Sequence, residues 1–374
     1  QLKKESQIRQ SVTEIEARLL RGIGIIRSLA TGPPTDATQW IGTAVSLLIG
    51  IMDAGATLIT GDAAPLAYIT CADKVSERLG SMRPFVGVAA LRLRGVSLAE
   101  NYQEEAVEDL ITRVLYRLRF AGEQRPFDSV SLIYALPLVL DLLRKGGVGE
   151  SADDADAQLV LAIEFLSYHT DVCADEAVPR AELFSVLISS MQAYAQHYKL
   201  LRDCFADMCR CVAPNMNREE MVVLAKGALV PETRVRSTVL QSISAEVDMS
   251  ELGYSDEIWI AAHDDEEENQ EFGREIWEES GFEVTAEVPL RMLPFLESKD
   301  GQLRRSTARS LAEAASLHND TLDSVLDELK STYAELAKPR VQQLDEFGMP
   351  KKMDLSDPWE GRHGIATAFK ELAP

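Results

Sequence analysis

The sequence predicts an all-α chain, an α-solenoid in which helix pairs stack on one another, and three observations predict it. A helix recurs through the C-terminal half with an arginine beside its first apolar anchor. Apolar residues make up 46% of the 374-residue chain and aromatic residues only 6%, a mixture suited to helices packed through Leu, Ile, Val and Ala. Runs of β-branched residues bounded by turn signals, the mark of strands, are scarce.

The copies of the recurring helix read Leu201-Arg202…Phe205…Cys209, Val235-Arg236…Val239…Ile243, Phe272-Gly273-Arg274…Ile276, Leu303-Arg304…Thr307…Leu311 and Gly361-Arg362…Ile365…Phe369. The third is loose, because Arg274 stands at the second position after the anchor. Side chains at i, i+4 and i+8 fall on one stripe of a helix, so each copy presents a face for burial. A unit of roughly 30 to 40 residues with two such helices cannot bury its own stripe and must stack on neighbours, as HEAT and armadillo repeats do. A scaffold of this kind works through surface and length, which points away from catalysis.

Residues 2–30 read as one long helix, with Ile8, Val12, Ile15, Leu19, Ile23 and Ile26 at helical spacing, closed by Gly32-Pro33-Pro34. Periodicity predicts further helices at 37–52, 63–79, 84–93, 103–120, 127–145, 154–170 and 179–195. Pro137 interrupts the apolar run Leu132–Leu140 and is expected to kink or locally tilt its helix. From 198 the pattern sharpens into pairs: 198–212 with 218–229, 231–247 with 255–263, and 267–280 with 286–297. Helices at 301–317, 319–337 and 357–372 follow. The chain therefore divides into degenerate helical repeats over 1–197 and clearer ones over 198–374, read as one continuous solenoid. It opens at Gln1 inside a helical pattern and closes at Pro374 directly after a helix, with no polar cap at either end, so a segment of a longer protein is expected.

The formal net charge of −22, from 60 acidic and 38 basic residues, argues against a continuous nucleic-acid-binding face, which needs clustered positive charge. Five cysteines are few and odd in number and follow no signal peptide, which fits a reducing, cytoplasmic setting without a disulfide framework. The sequon Asn319-Asp320-Thr321 then reads as a helix start. The uncharged stretch Ala37–Met52 is shorter than the ~20 residues a membrane helix needs and reads as a buried repeat helix.

No catalytic or metal constellation emerges. Cys204, Cys209 and Cys211 lie inside one helix without a fourth ligand or the turn that zinc pairs use, so they read as packing residues. His169, His197, His263, His318 and His363 are scattered singly. The stretch Lys145-Gly146-Gly147-Val148-Gly149-Glu150-Ser151 leaves a helix, with its lysine ahead of the glycines, whereas a phosphate loop leaves a strand and enters a helix. A glycine C-cap and a flexible loop explain it. There is no G-x-S-x-G elbow and no kinase signature set, and no cofactor is expected. The acidic run Asp264–Glu268 could hold a basic partner or a cation, but a solvated turn between helices accounts for it. Arg236, Arg304 and Arg362 stand where a planar guanidinium can bond a carbonyl or carboxylate of a neighbouring unit.

Both ends of the chain carry a resemblance. Lys3-Lys4-Glu5-Ser6-Gln7-Ile8-Arg9, leading into a long helix, resembles the start of a central region in the general-control translational activator family, very large cytosolic HEAT-repeat proteins. Asp357-Pro358-Trp359-Glu360-Gly361-Arg362-His363-Gly364-Ile365-Ala366-Thr367-Ala368-Phe369-Lys370-Glu371-Leu372 resembles the helix shortly before that family's elongation-factor-three-like segment, in a fungal-like form. The resemblance implies a non-catalytic, ribosome-associated scaffold of the amino-acid starvation response. Such a scaffold helps to activate the initiation factor two α kinase on stalled or collided ribosomes. Kinase and an ABC-type ATPase partner would be engaged through other regions, with no membrane and no direct DNA contact.

The connection from Lys338 to Pro358 is a loop of about twenty residues, several times the usual length, and Arg340, Phe347, Lys351 and Lys352 make it the best local candidate for contacting a partner. The main alternative is an acidic helical-repeat receptor for basic peptides, of the nuclear-transport kind. Against it, Trp40, Trp259, Trp277 and Trp359 do not recur at one position per repeat as a peptide-gripping ladder requires. A helical hydrolase or metal enzyme is the third and weakest reading.

Overall fold

The computed structural model describes residues 2–31, 107–149, 151–338 and 356–373, with scattered positions between 44 and 71. Every regular element among them is helical, so the chain is all-α and built from helix pairs. It divides into two compact units, Gln1–Val212 and Ala213–Pro374.

The first unit opens with α1 (Leu2–Thr31), the long helix that the periodicity predicts. Burial follows only part of its stripe. Ile23 is buried, whereas Ile8, Val12 and Ile15 are exposed and line a shallow apolar groove with Lys4, Gln7 and Ser11. The helices predicted at 37–52, 63–79 and 84–93 lie wholly or mostly outside the described residues; Ala44, Leu48, Ala64, Tyr68 and Cys71, which are described, are helical and buried.

Then follow α2 (Val107–Gln124), α3 (Ser129–Lys145), α4 (Ala152–Ser167), α5 (Arg180–Ala193) and α6 (Tyr198–Val212). α3 is the inner helix. It packs on α4 and α5, and Leu132, Ile133, Leu136, Val139, Leu140 and Leu143 are all enclosed, so it is apolar around most of its circumference. The helix continues through Pro137 as one element. α4 starts at Ser151, whose hydroxyl accepts the Asp154 amide, with Asp153 and Asp154 in the first turn where the helix dipole favours negative charge. α6 buries Leu201, Phe205, Met208 and Cys209 on α4 and α5, the stripe that the sequence marks.

The second unit contains α7 (Arg218–Gly227), α8 (Thr233–Glu246), α9 (Asp256–Ala261), α10 (Glu267–Glu279), α11 (Val288–Arg291), α12 (Gly301–Leu317), α13 (Leu322–Leu336) and α14 (Trp359–Glu371). A capping box of Asn217 and Glu220 starts α7, and Gly281 in the left-handed region (φ 65°) follows the end of α10. The helix expected over 286–297 is broken: α11 stops at Arg291 and a 3₁₀ segment runs Leu293–Glu297. Pro294 has no amide hydrogen to continue the α ladder, which accounts for the break. The stripes Val235/Val239/Ile243 and Thr307/Leu311 are fully buried. α8 packs on α10, α10 on α9, α9 on α12 and α12 on α14.

Candidate functional site

Arg236, Arg304 and Arg362 are each the fourth residue of their helix. Helical side chains lean toward the N-terminus, so an arginine in the first turn reaches back over the incoming chain. Arg236 Nη1 donates to the carbonyls of Val230 and Pro231 at 3.0 and 2.9 Å, and Arg304 Nη1 to those of Ser298 and Lys299 at 2.7 and 3.0 Å. The two sites are superposable in offset, six and five residues back. Arg362 Nη1 reaches Leu336 O at 3.1 Å, and its guanidinium grips the Asp357 carboxylate at 2.6 and 2.9 Å. Arg180, at the start of α5, makes the same six-back bond to Ala174 O at 3.1 Å and escapes the sequence signature because Pro179, not an apolar anchor, precedes it. Arg202 and Arg274 are exposed and, among the described residues, bond Asp203 and Gln270 on their own helices.

The acidic run is no solvated turn at its start. Asp264 forms a bidentate pair with Arg236, Nε–Oδ2 2.6 Å and Nη2–Oδ1 3.0 Å, with both side chains 1% exposed. Its carboxylate also accepts Gln302 Nε2 from α12 at 3.1 Å and the Glu266 amide at 3.0 Å. Asp265 accepts from Arg305 and Arg309 of α12. Burial raises its pKa, but the hydrogen bonds from the two arginines outweigh that and hold it below the ordinary carboxylate value. Arg309 donates to His263 O at 3.1 Å, Trp259 Nε1 to Ser310 O at 3.0 Å, and His263 sits between Trp259 O and Glu313 at 2.8 and 2.9 Å. This hub ties α8, the α9–α10 connection and α12 together, and the Asp264 and Asp265 carboxylates are held by fixed donors.

The remaining candidates resolve into packing. Cys173, Cys204 and Cys209 are buried, and burial pushes the Cys204 thiol up to about 12. Cys211, half-buried, lies 3.0 Å from Asp171 Oδ1. Such thiols are poor nucleophiles. Among the described residues no group of three or more His, Cys, Asp and Glu could hold a metal ion. His169 bonds Phe165 O and packs against Phe127 and Phe165; His197 meets Asp156 at 2.6 Å; His318 meets Val284 O; His363 accepts from Arg304.

The glycine stretch after α3 is a C-cap, with Gly146 at φ 88°, but the loop is pinned: Gln158, fully buried, accepts from the Val148 amide at 2.9 Å and donates to Val148 O at 2.8 Å. Lys145, though exposed, pairs with the buried Asp141 one turn back, and the Val148 amide is taken by Gln158. Arg340, Phe347, Lys351 and Lys352 lie outside the described residues.

Two family models match the chain: fungal GCN1-like HEAT repeats over residues 75–192, and the HEAT repeats of the stalled ribosome sensor GCN1 over residues 244–374. The eIF-2-alpha kinase activator GCN1 of Saccharomyces cerevisiae is 31% identical over 393 aligned positions covering 98% of this chain. The stalled ribosome sensor GCN1 of Mus musculus is 20% identical over 411 positions covering all of it. The chain spans 15% of the length of each of these relatives. No solved structure matches it. Helix pairs locked by first-turn arginines and alignment along nearly the whole chain converge on one assignment: the chain belongs to the GCN1 family, as a stretch of its HEAT repeats.

Proposed function

We propose that this chain is a non-catalytic HEAT-repeat segment of a ribosome-associated translational regulator, one that sets spacing and orientation between ribosome contacts. The observation that carries the proposal is the alignment over 98% of the chain with a yeast protein named as an eIF-2-alpha kinase activator. The mouse and human relatives, which align over all of it, are named as stalled ribosome sensors. The use of the charged cluster supports a scaffold role: Arg236 with Asp264, Asp265 with Arg305 and Arg304 with His363 join separate parts of the stack.

On this reading the parent protein works in the cytoplasm, without membrane or direct DNA contact. It engages the initiation factor two α kinase and an ABC-type ATPase through other regions. Residues 1–197 act as degenerate repeats and 198–374 as the more regular ones. The segment 338–358, through Arg340, Phe347, Lys351 and Lys352, is the ribosome contact.

Co-sedimentation of the purified chain with ribosomes across a salt series tests this. Salt-sensitive pelleting that is lost when Arg340, Lys351 and Lys352 are changed to glutamate is the expected result. Pelleting that survives those changes removes the segment from the proposal, and none at low salt removes ribosome contact by this chain.

A further inference from the structure

Negative charge is dense on α10, which carries six glutamates and one arginine in thirteen residues. All six, Glu267, Glu268, Glu271, Glu275, Glu278 and Glu279, are exposed. Two grooves border the C-terminal half of this helix. One, of about 280 Å³, has Trp259, Trp277 and Leu317 among its walls and Glu278 and Glu313 at its edge. The other, of about 400 Å³, is bordered by Glu246, Asp248 and Glu279 over a floor that includes Ile276, and no cationic residue lines it.

The tryptophan groove is a fixed shape. The Trp259 indole is anchored by its bond to Ser310 O, the two indole rings pack with centroids 4.8 Å apart, and Tyr254 and Phe282 press on Trp277 at 5.5 and 5.3 Å. Leu317 stands 59% exposed at its mouth. Two cationic groups also line it. Arg274 has its guanidinium 3.4 Å from Gln270 Oε1 one turn back along α10, and His263 lies 2.9 Å from Glu313. Glu278 has no such partner among the described contacts.

Apolar walls under a carboxylate rim suit one kind of side chain: a lysine or arginine, whose methylene stem packs on indole and leucine while its charged end meets the glutamates. We infer that the α10 face is a docking surface for an extended, lysine- and arginine-rich peptide segment, with the Trp259–Trp277 groove taking one basic side chain and the flanking glutamates its neighbours. A nucleic-acid partner is disfavoured on this face, because phosphates would meet six carboxylates. The inference goes beyond the scaffold proposal and does not rest on it; ribosome pelleting and peptide binding are separate readouts.

The test is fluorescence anisotropy of a fluorescein-labelled decapeptide of alternating lysine and arginine, titrated with the purified chain at about 150 mM salt, where long-range attraction is largely screened. A labelled oligouridylate serves as the nucleic-acid probe. Saturable peptide binding is expected, weakened about tenfold by the double change Glu278→Gln with Glu313→Gln. The matched neutralisation Glu5→Gln with Glu14→Gln on α1 is expected to leave it within about twofold. Both pairs of glutamates are exposed, and circular dichroism checks that each variant stays folded. No peptide binding, equal loss in the two double variants, or no loss in the groove variant overturns the inference, as does tighter binding of the oligouridylate than of the peptide.

Discussion

The backbone of Leu296 lies so close to Gly364 that a Cβ on the glycine would sit 2.0 Å from the Leu296 carbonyl oxygen. Glycine is required there because α14 and the 3₁₀ segment 293–297 touch backbone to backbone. Gly364→Ala is expected to cost about 1–3 kcal/mol, or more, in a urea titration, since a carbonyl cannot move as a side-chain tip can. Gly22 in α1 has nothing within 4 Å of a built Cβ, so Gly22→Ala is expected to stabilise by up to about 1 kcal/mol through helix propensity. Equal effects at the two sites would contradict the close approach.

The Arg236–Asp264 pair predicts an asymmetry between single and double variants. Asp264→Asn leaves a buried guanidinium facing a neutral amide, and a loss of about 3–5 kcal/mol is expected. Arg236→Met combined with Asp264→Leu removes both charges together and should cost less than the sum of the two single changes. A double-mutant cycle by chemical denaturation measures the coupling, and additivity would show that the pair contributes nothing as a pair.

Acid should act on Asp265. Its folded pKa lies below the ordinary 3.8, so its contribution is fully present above the unfolded value and is lost as pH falls through the folded one. The stability difference between the native chain and Asp265→Asn is expected to be constant at neutral pH and to shrink as pH falls below about 4. A difference that grew on acidification would reverse the sign of the shift.

Thiol labelling should be selective. Cys71, Cys173, Cys204 and Cys209 are buried and Cys211 is half-buried, so one of the five thiols is expected to react with an aromatic disulfide reagent under native conditions. The reaction should be slow, because burial and the Asp171 hydrogen bond raise the Cys211 pKa. Cys211→Ser should abolish it, while all remaining thiols should label in denaturant.

Much of the fold is legible in the sequence because local chemistry sets it. Helices 198–212 and 301–317 are read to the residue, since their apolar periodicity is strong and caps or turns bound them. The arginines at 236, 304 and 362 are legible for the same reason, as their spacing from the buried stripe repeats. Their partners are less so. Asp264 is 28 residues from Arg236, and its place at the head of an acidic run makes it look solvated; only the packing of α8 against α10 brings the pair together. Trp259 and Trp277 mislead in the opposite way: they share no repeat position, yet adjacent helices bring them into contact. The stripe of α1 shows that periodicity reports which residues share a face, not whether a neighbour covers it.

The hub at Asp264 also has a mechanical consequence. Its carboxylate bonds α8 through Arg236 and α12 through Gln302, so two helices on either side of the α9–α10 pair share one anchor. A load that prised α8 away from α12 would strain both sets of bonds at once. Within this unit the stack should therefore yield as a splint does, resisting flexure across several helices and then giving way together, whereas joints secured only between adjacent pairs would hinge one at a time.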